Sequence, residues 1–85
     1  MNQLILIKDK EEIILATILD FKKAPPTKKN PTDDQYFLTT EETWACNPKD
    51  EIYMDEDGKR TRLYLWEYYP SEFGNKYRIL VRKKP

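Results

Sequence analysis

Histidine is absent from this chain of 85 residues, which removes the commonest acid–base side chain and the commonest nitrogen ligand. Ser71 is the one serine, with no triad partner to activate it. Cys46 is the one cysteine, so neither a disulfide nor a paired-cysteine zinc site can form within the chain. A buried, inert thiol is the expected state of Cys46, and its lack of a partner fits a reducing compartment. Gly58 and Gly74 are the two glycines, too few and too far apart for a phosphate-cradling loop. Long apolar runs are missing as well. "LILI" near the N-terminus falls short of the ~7–15 residues of a secretory core. "IILATIL" falls far short of the ~20 needed to span a bilayer. These absences lead to the expectation of a cytoplasmic protein that is not an enzyme, has no cofactor or metal site, and makes no membrane contact.

Size sets the next bound. A chain this short forms one domain with one modest core, and about 3–8 kcal/mol of net stability is expected. Net charge is zero, but the charges are unevenly spread. Residues 33–57 carry nine acids against Lys49 alone, whereas residues 58–85 carry eight bases against Glu67 and Glu72. A zero total argues against a general polyanion binder, while the polarity leaves room for one acidic and one basic patch. The short chain, the lack of histidine and the lysine, isoleucine and tyrosine usage are compatible with a phage or mobile-element protein.

What the sequence does have is strand-forming pattern. Leu4–Lys8 and residues 11–21 read as a hairpin around a charged turn, with β-branched Ile13, Ile14, Thr17 and Ile18 favouring extended backbone. A helix over 10–24 competes with this reading: Asp9 would cap it, Glu12 would complete a capping box, and Pro25-Pro26 would stop it. A long loop, 24–35, follows, with three prolines and no aromatic residue before Tyr36. "QYFLTT" begins as a strand, after which Thr39 could cap a short helix ended by Pro48, or Trp44–Cys46 could continue the strand. "EIYMDEDGKRTRLYLW" carries the clearest local signal. Asp57-Gly58 is a two-residue turn that favours φ > 0 at both positions, and the register it sets pairs Glu56 with Lys59 and Asp55 with Arg60. "KYRILVRKKP" alternates as a last strand with a basic tail. The expected fold is mostly β: a small antiparallel sheet of five or six strands, or a partly open OB-like or SH3-like barrel, with at most one short helix. The alternative is α+β with 10–24 helical.

Two tryptophans, six tyrosines and three phenylalanines are many for so small an interior. "LYLWEYY", read as a strand, sends Leu63, Leu65, Glu67 and Tyr69 to one face and Tyr64, Trp66 and Tyr68 to the other. Such a row either packs under a loop or serves as a contact surface. On the contact reading the protein is a non-catalytic protein-interaction module, a small inhibitor or accessory factor. Tyr53, Tyr64, Trp66 and Tyr68 would carry the contact, with Asp55, Glu56 and Asp57 as an acidic rim. The alternative is a small single-stranded nucleic-acid binder that stacks bases on Trp66, Tyr68 and Tyr77 beside Arg78 and Arg82. A calcium-loop alignment of residues 53–64 fails, because Tyr53 and Tyr64 occupy the positions that need acidic ligands.

Overall fold

The computed structural model describes residues 2–29, 31 and 33–84. Seven strands follow one another: β1 (Gln3–Lys8), β2 (Glu11–Lys23), β3 (Gln35–Thr40), β4 (Glu51–Glu56), β5 (Lys59–Leu65), β6 (Ser71–Phe73) and β7 (Lys76–Arg82). Every pairing is antiparallel, in the order β3-β2-β1-β4-β5-β7-β6, and β3 also pairs with β7. That last pairing bends the sheet toward a ring. The ring is not a regular barrel, because β5 and β7 meet through only two residue pairs, Tyr64 with Arg82 and Leu65 with Val81.

The hairpin reading of the first third holds, and the helical alternative for 10–24 does not. The turn between β1 and β2 places Asp9 and Lys10 at φ of 53° and 65°, the left-handed pair that matches strand twist. β2 then serves two neighbours. Its first half pairs with β1 and its second half with β3, with register shifts between Leu4 and Ile5 and between Ile18 and Asp20. Such irregularities sharpen bend and twist, which is how one 13-residue strand turns a corner of the ring.

β4 and β5 pair in the register set by the Asp57-Gly58 turn: Glu56 with Lys59, Asp55 with Arg60, and so on to Ile52 with Leu63. Asp57 and Gly58 have φ of 53° and 93°. A Cβ at Gly58 would meet nothing within 4 Å, so a side chain there costs backbone strain rather than a clash. Gly58→Ala is therefore expected to lower stability by about 1–2 kcal/mol, measurable by thermal denaturation.

No short helix follows β3 among the described residues. The segment 41–50 instead plugs the ring with Trp44 and Cys46, which join the core formed by Leu4, Leu6, Leu38, Ile52, Leu63, Val81 and their neighbours. Its polar bonds explain why neither a helix nor a longer strand forms. Trp44 Nε1–H donates to Thr40 Oγ1 (3.2 Å), which itself donates to the Glu42 carbonyl (2.9 Å). Rather than completing a capping box, the Glu42 carboxylate accepts from the Thr17 amide (2.7 Å) and hydroxyl (3.3 Å) on β2. Burial pushes the Cys46 thiol up to about 11, helped by the nearby Asp50, which suits an unreactive packing group.

The remaining rings of the first half are partly used. Phe21 and Tyr36 stack with centroids 4.7 Å apart and pack against the core, with the Lys83 ammonium 4.7 Å from the Tyr36 ring. Phe37 points away from the core on β3 and is half-buried.

Arg60 ties the sheet diagonally. Its guanidinium forks onto Glu12 of β2 (2.6 and 2.9 Å) and its Nε reaches Asp55 (3.0 Å), spanning β4 and β1. Ile5 lies on that diagonal and is only 4% exposed, although it belongs to the row facing away from the core. Arg60 holds the Glu12 carboxyl below its ordinary range; the Gly58 amide first, then Arg60, does the same for Asp55. Carboxyls lowered by folding contribute stability that is complete above their unfolded values and is lost as pH falls through the folded ones. The melting temperature is thus expected to drop as pH falls from about 5 to about 2, and to drop less over the same range in Arg60→Met.

Candidate functional site: an aromatic and arginine face with a ring-lined cleft

The outward side of β4, β5 and β7 alternates rings and cations. Cross-strand register sets Tyr53 beside Arg62 and Tyr64 beside Arg82. The Arg62 guanidinium lies over both Tyr64 (4.8 Å) and Tyr53 (5.8 Å), and Arg82 lies over Trp66 (4.5 Å). Further along β7, Arg78 sits between Phe73 of β6 (4.0 Å) and Phe37 of β3 (4.4 Å). Cations stacked on ring faces are electrostatically favourable, and the contacts hold the guanidinium planes in place. They also bury the Nε atoms of Arg62 and Arg82 without an acceptor. Arg62, Arg78 and Arg82 form no ion pair with a carboxylate among the described residues.

This ladder divides the rings into two groups. Tyr53 and Tyr64 are half-buried within it, and the Tyr53 hydroxyl donates to Glu51 Oε2 at 2.6 Å. That bond, aided by burial, raises the Tyr53 phenol above its usual range against the opposing influence of Arg62. The second group is out in solvent: Trp66 is 36% exposed, Phe73 50%, Tyr68 58% and Tyr69 67%. The face alternation expected for "LYLWEYY" ends at Leu65, where β5 ends. From Trp66 the chain bends through to Tyr69, so Tyr69 leaves the side of Leu63 and Leu65 and joins Tyr68 outside. Two features fix the bend: the Cys46 amide donates to the Tyr68 carbonyl (2.9 Å), and Pro70 is buried. The plugging segment therefore positions the exposed rings.

Trp66, Glu67, Tyr68, Tyr69 and Ser71 line a shallow cleft of ≈ 440 Å³. Its volume lies within the range of small-ligand sites. Glu67 is exposed and makes no hydrogen bond or ion pair among the described residues.

Of the residues the sequence assigned to a protein contact, Trp66 and Tyr68 stand together at this cleft. Tyr53 and Tyr64 are the supporting rungs behind them. Asp55 is engaged by Gly58 and Arg60, and Glu56 and Asp57 lie at the turn that begins β5, roughly 20 Å of strand away from Trp66. The acids therefore lie at the Tyr53 end of this face and away from the exposed rings of the cleft. Of the residues assigned to nucleic-acid contact, Trp66, Tyr68, Arg78 and Arg82 share the face. Tyr77 belongs to the opposite row of β7 with Ile79 and Val81, which enter the core. Tyr69, Phe73 and Glu67 were not among the candidates. Pro70 was the available signal for the first of these, since a proline so close ends the pairing that strand alternation assumes.

Groups of three or more cysteine, aspartate or glutamate side chains able to hold a metal ion are absent among the described residues, as is any helix long and apolar enough to cross a membrane. Comparison with protein-family models, curated proteins and solved structures finds no match to the chain.

Proposed function

We propose that this domain is a non-catalytic protein-interaction module whose contact surface is the exposed ring cluster Trp66, Tyr68, Tyr69 and Phe73, flanked by Arg78 and Arg82. The observation that carries this reading is the concentration of solvent-facing rings on one short bend and the adjacent β6 edge. Tyrosine and tryptophan bring large apolar area with a polar tip and little conformational entropy to lose, and with arginine they are the usual anchors of protein interfaces. The test is affinity capture from an extract of the source cells with wild-type protein and with a Trp66→Ala/Tyr68→Ala variant. A partner held by the first and lost by the second, at matched melting temperature, is the expected result. Equal capture by both would refute the assignment.

One observation favours a second reading. Arg62, Arg78 and Arg82 stack on rings of one face and have no carboxylate partner among the described residues, an arrangement suited to a single-stranded nucleic acid. That reading requires a labelled oligonucleotide to bind at about 50 mM salt and to dissociate as salt rises. The exposed rings sit beside Glu67 and Glu72 in sequence, which sets anionic charge against a phosphate backbone and favours the protein partner.

A further inference from the structure

We propose that the cleft of Trp66, Tyr68 and Tyr69 is a cage for an alkylammonium group, the side chain of a lysine or N-methylated lysine presented by the partner protein. The inference rests on the protein-interaction reading and names the chemistry that the surface recognises. Three rings line one small cleft, and their faces carry the negative end of the aromatic quadrupole, which attracts cations. Glu67, a residue of the lining, has no hydrogen-bond or ion-pair partner among the described residues, so it has its charge to offer to a ligand. Ser71, also in the lining, carries a hydroxyl able to accept a hydrogen bond. The site therefore combines three aromatic side chains, one acid without a partner among the described residues and open access, and a compact cation on an apolar stem complements all three.

Arg82 opposes this, because its guanidinium lies 4.5 Å over the Trp66 ring. It does not line the cleft, whereas Glu67 does. A group seated in the cleft therefore meets Glu67 as the charged residue of its lining. Arg82 also shows that the Trp66 ring accepts a cation in this setting.

The test is an amide and indole NMR titration of the full chain with Nα-acetyl-lysine methylamide, its trimethyllysine counterpart and the neutral norleucine isostere. The Trp44 indole, buried and bonded to Thr40, is the internal control. Expected are saturable shifts of the Trp66 indole and of the Tyr68 and Tyr69 amides with one or both cations, no shift at Trp44, and no response to norleucine. The tighter of the two cations identifies the partner's side chain as unmodified or methylated. Glu67→Gln, at an exposed position that bonds nothing else in the described chain, should keep the native spectrum and bind at least about fivefold more weakly. The proposal is overturned by the absence of saturable shifts up to about 50 mM, by an equal response to norleucine, or by unchanged affinity in Glu67→Gln. If capture is lost in the ring variants while no cation binds, this inference alone falls. If capture survives those variants, the protein-interaction reading falls whatever the titration shows.

Discussion

Replacing Trp44 by alanine is expected to remove most of the domain's stability. Truncating a buried tryptophan costs about 3–5 kcal/mol through lost transfer energy and the cavity left behind. A domain of this size holds roughly 3–8 kcal/mol in total, so the loss approaches the whole. Trp44 enters from the 41–50 segment and is buried in the one core cluster to which β1 to β5 and β7 all contribute, so its loss is felt by most of the sheet. The variant also removes the donor to Thr40, whose hydroxyl organises the turn into that segment. Trp44→Phe separates the two contributions: most of the packing remains, the N–H is lost, and a decrease of about 1–2 kcal/mol is expected. Urea denaturation followed by circular dichroism measures both. A Trp44→Ala protein with a native-like transition would show that the segment is a surface loop and not part of the core.

The second large effect is on binding and is expected to leave the fold intact. Tyr68→Ser/Tyr69→Ser should shift stability by no more than about 0.5 kcal/mol per site, because these rings are mostly in solvent. The bond that positions the bend uses the Tyr68 backbone carbonyl, which the substitution keeps. Partner capture and lysine-analogue binding should both be abolished. The contrast between Trp44 and the Tyr68–Tyr69 pair separates the aromatic residues the fold needs from those it does not.

Some of this was legible in the sequence, for identifiable reasons. The β4–β5 hairpin was readable to the residue because Asp57-Gly58 dictates a two-residue turn and acid faces base on either side of it. The alternation in β7 correctly sorted Ile79 and Val81 from Arg78 and Arg82. The corner in β2 was not readable, since a bulge leaves no periodic trace in "EEIILATILDFKK". The plug was not readable either: what settles "EETWACNP" is a set of tertiary bonds to Thr17, Thr40 and Tyr68, and local propensity is silent about them. The site suffered from the same limit. Strand alternation carried past Leu65 put Tyr69 inside and missed the bend that gathers Trp66, Tyr68 and Tyr69 around Glu67. The distance of Asp55, Glu56 and Asp57 from Trp66 has a simpler reason: residues at a hairpin's turn sit a full strand length from its other end.

Hydroxyl-radical footprinting of the native protein, read residue by residue by mass spectrometry, tests the central claim most directly. Tyr68, Tyr69 and Phe73 should react several-fold faster than Tyr53 and Tyr64, with Trp44 protected. Protection of Tyr68 and Tyr69 equal to that of Tyr53 and Tyr64 would mean that the domain covers these rings itself and has no aromatic surface to offer a partner.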